Sequence, residues 1–228
     1  MLLGLLLGGG LGIGWAAGLN LGSQALTPYR TCTITATPAT TTTVIDANVR
    51  QGSPGSNFGT VTTIAVSSGV NVNQRVHLRF DLSQCSPAIP TTATVRLATL
   101  RLYASALPAA CRTIDLFRVT ASWTEIGITW TNQPFGDTLN NPPNASRTGS
   151  FAVGTPTGCQ NRAAGYVVGG TVTGDVAAFV AGGATNFGWM LRDDVEGSST
   201  TRTTTFSAKN LGIVAQAPQL VITYVTVP

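Results

Sequence analysis

The sequence Gln-Arg-Val-His-Leu-Arg-Phe-Asp-Leu, residues 74–82, decides the fold class of this chain. Its apolar and polar side chains alternate strictly from residue 75: Val76, Leu78, Phe80 and Leu82 share one parity, and Arg75, His77, Arg79 and Asp81 share the other. Successive side chains of a β-strand point to opposite faces, so this pattern predicts a strand with an apolar inner face and a basic outer face. After a turn, residues 97–103 repeat the pattern, which predicts a second, neighbouring strand: Ala98, Leu100 and Leu102 alternate with Thr99, Arg101 and Tyr103.

Further short apolar segments, separated by glycine, proline and asparagine, predict about nine or ten strands in all. Residues 131–147 are rich in turn-forming residues and are predicted to be a long loop. Residues 173–181 are the one predicted helix, with Thr173 as its N-cap and Gly182 at its end. The sequence therefore predicts an all-β domain, most simply a jelly-roll β-sandwich with one short helix.

The first part of the chain is apolar and rich in glycine, and its first charged residue is Arg30. Such a segment is typical of a secretory signal, and Ser23-Gln24-Ala25 is a suitable cleavage region. The alternative is an uncleaved membrane anchor, since about 20 apolar residues can span a bilayer. We therefore divide the chain into residues 1–26 as signal peptide or N-terminal membrane anchor, residues 27–43 as threonine-rich linker or edge strand, and residues 44–228 as the jelly-roll domain. Both alternatives predict a location outside the cytoplasm.

Charge is sparse, with 13 basic and 9 acidic residues and a net charge of +4. A basic protein suits an acidic partner. The Lys/Arg clusters that track a phosphate backbone are missing from the sequence, so nucleic-acid binding is not expected.

Four cysteines in an exported chain predict two disulfides: Cys32, Cys85, Cys111 and Cys159. A strand through residues 97–103 would separate Cys85 from Cys111 by about 25 Å, whereas bonded Cα atoms lie within ~7 Å of each other. Two pairings remain open, and we prefer the first: Cys32–Cys85 with Cys111–Cys159, or Cys32–Cys111 with Cys85–Cys159.

The basic outer face is the best candidate for a binding site: Arg75, His77, Arg79, Arg101 and Tyr103. Alternate strand positions share a face and lie within reach of the neighbouring strand. Guanidinium groups suit carboxylates, so the predicted ligand is an acidic polysaccharide. The competing interpretation is a solvated sheet face on which Asp81 pairs locally with an arginine.

Other candidate residues have structural interpretations. Trp123 and Trp130 are expected in the core rather than as sugar-stacking platforms, because each buries a large area; Trp189 is left open. Asp193, Asp194 and Glu196, and separately Asp46, Asn48 and Asn57, could hold a structural calcium ion, although neither set matches a defined calcium loop. No other cofactor is expected, and a single histidine with well-separated cysteines disfavours zinc.

Catalysis is weakly supported by the sequence. His77 is the only histidine, and the only glutamates are Glu125 and Glu196. A Ser-His-Asp site would need a nucleophile motif that no serine shows. A polysaccharide lyase could use His77 and Tyr103 as base and acid, but we predict no enzyme.

A series of short motifs resembles a known family. In chain order they are Asp46-x-x-Val49, Pro54-x-x-Asn57-Phe58-Gly59, Arg79-Phe80-Asp81-Leu82-Ser83, Ala98-Thr99-Leu100-Arg101-Leu102-Tyr103, Trp123-Thr124-Glu125, Thr129-Trp130-x-x-Gln133-Pro134, Val172-Thr173-Gly174-Asp175-Val176, Asn186-Phe187-Gly188, Phe206-Ser207 and Pro218-Gln219-Leu220-Val221-Ile222-Thr223-Tyr224. This order is similar to that of the DNRLRE-type domains of bacterial and archaeal surface proteins, which overlap the family-96 carbohydrate-binding modules and the disaggregatase-related repeats.

The resemblance implies a jelly-roll β-sandwich in an extracellular protein, polysaccharide binding with alginate among the ligands, and no catalytic residues. The cysteines are not part of the pattern. Phe179 or Val180 stands where a tryptophan is often found.

Together these observations predict a secreted or cell-surface, bacterial or archaeal, non-catalytic module that binds an extracellular, acidic polysaccharide. The alternative is a structural or adhesive cell-surface or filament subunit that self-associates through its N-terminal segment. A lyase or hydrolase is the third hypothesis. Contact with a membrane is expected only if the N-terminal segment stays uncleaved.

Overall fold

The computed structural model describes residues 28–37 and 42–226. The strands are β1 (Arg30–Thr35), β2 (Val44–Arg50), β3 (Thr63–Ser68), β4 (Gln74–Phe80), β5 (Thr94–Ala106), β6 (Arg112–Arg118), β7 (Gly149–Val153), β8 (Gly165–Thr171), β9 (Trp189–Asp193), β10 (Arg202–Ser207) and β11 (Gln219–Val225). The helix α1 (Thr173–Val180) follows β8, and four short 3-10 turns complete the regular structure of the described residues. The predicted signal peptide or anchor lies outside them.

The strands form a curled antiparallel sheet that folds into two layers. The first layer runs β1-β11-β5-β10-β3, with β8 on the other edge of β5, and the second runs β4-β9-β6-β7, with β2 on the other edge of β4. The layers are joined where β3 pairs with β4 at Ser67 and Gln74. This arrangement confirms the predicted all-β sandwich with one short helix.

The core lies between the two layers and follows the alternation seen in the sequence. Val76, Leu78 and Phe80 of β4 are fully buried, as are Leu100 and Leu102 of β5. Both sets belong to one apolar cluster. Burying each such side chain contributes on the order of 2 kcal/mol, so the period-two pattern places the strands with their apolar faces inward.

The prediction that the strands of residues 74–82 and 97–103 are neighbours is wrong. β4 pairs with β2, β3 and β9, whereas β5 pairs with β8, β10 and β11. Because β4 and β5 direct their apolar faces into the same core from opposite layers, their outer faces point away from each other. The connection between them crosses from one layer to the other, which alternation alone does not reveal.

Both disulfides form, and they follow the preferred pairing. Cys32 bonds Cys85 and Cys111 bonds Cys159, each with a Cα–Cα distance of 5.5 Å. The first bond joins β1 to the turn after β4 and so closes a loop of 53 residues between the two layers. Strand β1 lies within the segment predicted as linker or edge strand, and it pairs along its length with β11.

We expect Cys32→Ala/Cys85→Ala to lower the free energy of unfolding by about 2–4 kcal/mol, because the unfolded chain regains the freedom of a long loop. Guanidinium denaturation monitored by tryptophan fluorescence measures the change. Cys111→Ala/Cys159→Ala is the matched control, since its loop of 48 residues predicts a similar entropic term. Only the first pair should also increase hydrogen exchange along β1. Unchanged protection of β1 would contradict the anchoring role.

Helix α1 begins as predicted at Thr173, but Thr173 does not cap it. The N-cap residue is Val172, which has no side-chain capping bond, and the Thr173 hydroxyl accepts a hydrogen bond of 3.0 Å from the Ala98 backbone N–H. The hydroxyl therefore fastens the helix to β5. At the other end Gly182 has a φ of 73°, the left-handed conformation that ends a helix, as predicted. None of the helices within the described ranges is long and apolar enough to cross a bilayer.

A long loop, residues 119–148, covers the outer face of the second layer, and we call it the covering loop. It carries Trp123 and Trp130, which are 7% and 3% exposed. They pack with Phe117 and Met190 in a second apolar cluster outside the main core. The core interpretation of these two tryptophans is thereby confirmed, and Trp189 is fully buried as well.

Candidate functional site

Arg75 is buried rather than exposed on a basic face. Its Nε and Nη2 donate to the two carboxylate oxygens of Glu196 at 2.7 and 2.8 Å. Its Nη1 donates to the Gly136 carbonyl at 2.9 Å and its Nη2 also donates to the Thr138 carbonyl at 2.7 Å, both in the covering loop. The guanidinium lies 4.6 Å from the centre of the Trp130 ring. This arginine therefore holds the covering loop on the sheet and cannot reach a ligand.

His77 is also fully buried, and its ring meets Trp123 edge to face with a centroid distance of 5.6 Å. Neither ring nitrogen has a hydrogen-bond partner among the described residues. Burial, and secondarily the positive charge of Arg75, lower the pKa of His77 from 6.5 to about 3. The imidazole is neutral at physiological pH.

The expectation that Arg75 and His77 lie on a solvent-exposed face is therefore wrong, for a physical reason. Alternation identifies the two faces of a strand, but it does not say whether a loop covers the polar face. Here the covering loop does so, and its carbonyls and aromatic rings satisfy the buried arginine. Arg79, further along the same face, remains half-buried.

The remaining two predicted residues lie together on the outer face of the first layer. Arg101 and Tyr103 point outward from β5 and are half-buried. Tyr166 of β8, which pairs with Tyr103, extends across β5 and donates its hydroxyl to the Ala217 carbonyl at 3.0 Å. Its ring lies 4.8 Å from the Arg101 guanidinium carbon and 5.5 Å from the Tyr103 ring.

We call this surface the Arg101 face: Arg101, Tyr103, Tyr166 and Gln219. Gln219 pairs with Arg101 across the β5–β11 ladder and, since Leu220 points into the core, faces outward beside it. Thr35 pairs with Gln219 on β1. The row Thr35–Gln219–Arg101 crosses three strands and spans about 10 Å. Together these residues form a polar surface with aromatic rings beside a guanidinium.

Arg101 has no carboxylate within ion-pair distance in the part of the chain that the structure describes. Burial raises the pKa of Tyr166, and the positive charge of Arg101 offsets part of this rise. The guanidinium is thus oriented by an aromatic ring while its N–H donors stay available. Guanidinium groups in this state form bidentate bonds with carboxylates.

Sequence analysis missed Tyr166. Its strand was predicted, but the pairing of β8 with β5 joins residues more than 60 positions apart, and a non-local pairing leaves no mark in a single sequence. The sequence also predicts that Arg79 and Arg101 belong to one binding face, which is wrong because β4 and β5 lie in opposite layers.

The candidate calcium ligands have other partners. Asp193 and Asp194 both pair with Arg112, and Glu196 pairs with Arg75. Asp46 accepts a hydrogen bond of 2.8 Å from the Lys209 backbone N–H, and Asn57 donates to two carbonyls of the covering loop. Among the described residues, no three His, Cys, Asp or Glu side chains are grouped as metal ligands.

The acid–base pair considered for a lyase is not assembled. His77 lies beneath the covering loop on the second layer, whereas Tyr103 lies on the outer face of the first. The two glutamates also have structural partners, since Glu196 binds Arg75 and Glu125 binds Lys209 at 2.8 Å. The Arg101 face offers a guanidinium, two tyrosine rings and an amide group for contacts with a ligand.

Comparison with known proteins identifies the family of the chain. No curated protein matches the chain. The model of carbohydrate-binding module family 96 matches residues 37–224, which include every strand from β2 to β10 and most of β11. The chain belongs to carbohydrate-binding module family 96.

Proposed function

We propose that this protein is an extracellular, non-catalytic module that binds an acidic polysaccharide on its Arg101 face. The family supports carbohydrate binding. The observation that carries the acidic ligand is Arg101 itself: a guanidinium stacked on Tyr166 and without a carboxylate partner among the described residues.

The proposed recognition joins two kinds of contact. Arg101 forms a bidentate pair with the carboxylate of a uronate residue, while the Tyr103 ring contacts the apolar face of an adjacent sugar. Gln219 and Thr35 supply hydrogen bonds to sugar hydroxyls. Because Tyr166 is tied to the Ala217 carbonyl, the arginine is held in place before the ligand arrives, which reduces the entropy lost on binding.

A location outside the cytoplasm is supported by the two disulfides, since such bonds persist in oxidising compartments. A binding module without catalysis is supported by the burial of the only histidine.

The test is isothermal titration calorimetry with polyguluronate, polymannuronate, polygalacturonate and a neutral β-glucan. We expect binding to the uronate polymers that weakens with salt, and Arg101→Gln should weaken it roughly tenfold or more, because a charge-assisted pair contributes ~1.5–3 kcal/mol. Arg96→Gln is the matched control: Arg96 is an exposed arginine on the same strand, so both variants change the net charge equally.

Equal loss of affinity in both variants would show a diffuse charge effect and would contradict the proposed site. A folded protein that binds none of the polymers would contradict the proposed function and would favour the structural or adhesive subunit.

A further inference from the structure

A cleft of about 360 Å³ opens where the end of β6, the first turn of α1 and the last part of the covering loop meet. It is lined by Arg118, Phe135, Arg147, Thr148 and Asp175, among others, and it shares no residue with the Arg101 face. We propose that this cleft is a second carbohydrate site, which binds one neutral sugar ring through its vicinal hydroxyls. Its volume lies at the lower end of small-molecule sites, which start at about 300 Å³.

The charges of the cleft favour hydroxyls over an anion. Arg118 Nη1 lies 3.4 Å from Asp175 Oδ1, and Arg147 Nε lies 3.7 Å from Asp115 Oδ1. Each guanidinium thus faces a carboxylate on one side, while its side chain is 40% or 46% exposed. At the cleft itself Arg118 is balanced by Asp175, in contrast to the unbalanced Arg101. Hydroxyls donate to carboxylates and accept from guanidinium N–H groups, so vicinal hydroxyls match both halves of the Arg118–Asp175 pair, and Arg147 offers further donors.

The acidic groups are held in place by the fold. Asp175 Oδ2 accepts hydrogen bonds of 2.8 Å from the Thr148 hydroxyl and from the Trp189 indole N–H, which fixes the orientation of its other oxygen toward Arg118. Asp115 is fully buried on the same face of β6 as Phe117, and neither of its oxygens accepts a hydrogen bond from the described residues. Asp115 does not line the cleft, and it acts there through the orientation of Arg147, which faces it.

The covering loop supplies the apolar wall and is itself anchored. Phe135 meets Phe117 edge to face at a centroid distance of 6.5 Å, which leaves a ring against which the C–H face of a sugar can pack. Buried Arg192 donates from Nη2 to the Pro142 carbonyl and to Asn144 Oδ1, both at 2.6 Å. These bonds fix the segment that leads to Arg147, so the cleft is formed before any ligand enters.

The experiment is an NMR titration of the ¹⁵N-labelled protein with cellotetraose, mannotetraose and tetraguluronate, followed at the arginine Nε–Hε signals. We expect a neutral tetraose to shift the signals of Arg118 and Arg147, and Arg147→Gln should weaken that binding roughly tenfold. The shifts should be insensitive to salt. Arg162→Gln, which alters an exposed arginine elsewhere, is the matched control and should leave the affinity unchanged.

Three results would overturn the proposal: no neutral probe shifts Arg118 or Arg147, the Arg118 shift persists with unchanged affinity in Arg147→Gln, or only tetraguluronate perturbs the cleft. Arg147→Gln leaves buried Asp115 without its ion pair, so the dispersion of the amide spectrum checks that the variant is folded. Arg118→Gln is the second variant and should weaken the same binding, since its partner Asp175 keeps its bonds to Thr148 and Trp189. The Arg101→Gln variant separates the two sites: it should weaken uronate binding and leave the cleft response unchanged. Failure of one site therefore does not count as failure of the other.

Discussion

Arg75→Ala is expected to lower the free energy of unfolding by about 3–5 kcal/mol, because it leaves Glu196 charged, buried and without its partner. It also removes the donors for the Gly136 and Thr138 carbonyls and the guanidinium that stacks on Trp130. For a chain of this size such a loss lowers the Tm by roughly 10 °C. Denaturant unfolding and calorimetry measure both quantities.

Arg79→Ala is the matched control, since Arg79 is an arginine of the same strand and face that remains half-buried. It should cost less than about 1 kcal/mol. The double variant Arg75→Ala/Glu196→Ala should be less destabilised than the sum of the two single variants, because no buried charge is left unpaired. If Arg75→Ala behaved like Arg79→Ala, the covering loop would not depend on this arginine.

Opposite pH dependences are expected when His77 and Asp46 are replaced separately. The pKa of His77 is lowered to about 3 in the folded protein, so between pH 3 and 6.5 the unfolded chain binds a proton that the native state does not. The contribution of His77 to the free energy of unfolding therefore falls as the pH drops, by up to about 5 kcal/mol. Burial, opposed by the Lys209 N–H and reinforced by Glu125, raises the pKa of Asp46 from 3.8 to about 7.

For Asp46 the sign is reversed. Between pH 3.8 and 7 the native state holds a proton that the unfolded chain has lost, so the contribution of Asp46 falls as the pH rises, by up to about 4 kcal/mol. The two slopes oppose each other between about pH 4 and 6.5. His77→Phe, which retains a ring against Trp123, should give a stability that decreases with rising pH relative to the native protein.

Asp46→Asn should show the reverse, with a relative stability that increases with rising pH. Denaturant midpoints measured from pH 3.5 to 7.5 give both curves, and differences from the native protein remove the contributions of all other carboxyl groups. Parallel curves for the native protein and both variants would mean that neither group titrates anomalously.

How much of this fold the sequence predicts depends on whether the signal is local. The alternation in residues 74–82 and 97–103 fixes the strands and their inner faces, because burial acts on each side chain separately. The helix start, the core tryptophans and the long loop are likewise local features. The pairing of strands is not local: β4 and β5 are consecutive and similar in pattern, yet they lie in opposite layers.

The candidate site shows the same division. Arg101 and Tyr103 were identified because they lie on the outer parity of a clear strand. Arg75 and His77 have the same signature, but whether they are exposed depends on a loop that begins some 40 residues later in the chain. Tyr166 became a candidate only when the β5–β8 register brought it beside Tyr103. Parity thus predicts which side chains lie on the outer face of a strand, but tertiary packing decides whether they are exposed to solvent.

The central claim is that Arg101 holds the carboxylate of an acidic polysaccharide, and a crystal structure of the protein with tetraguluronate tests it most directly. We predict a uronate carboxylate bonded to the Arg101 guanidinium at about 2.7–2.9 Å, with a sugar ring against Tyr103 and with Tyr166 still bonded to the Ala217 carbonyl. A tetraguluronate bound elsewhere on the protein, with Arg101 making no contact to it, would contradict the claim.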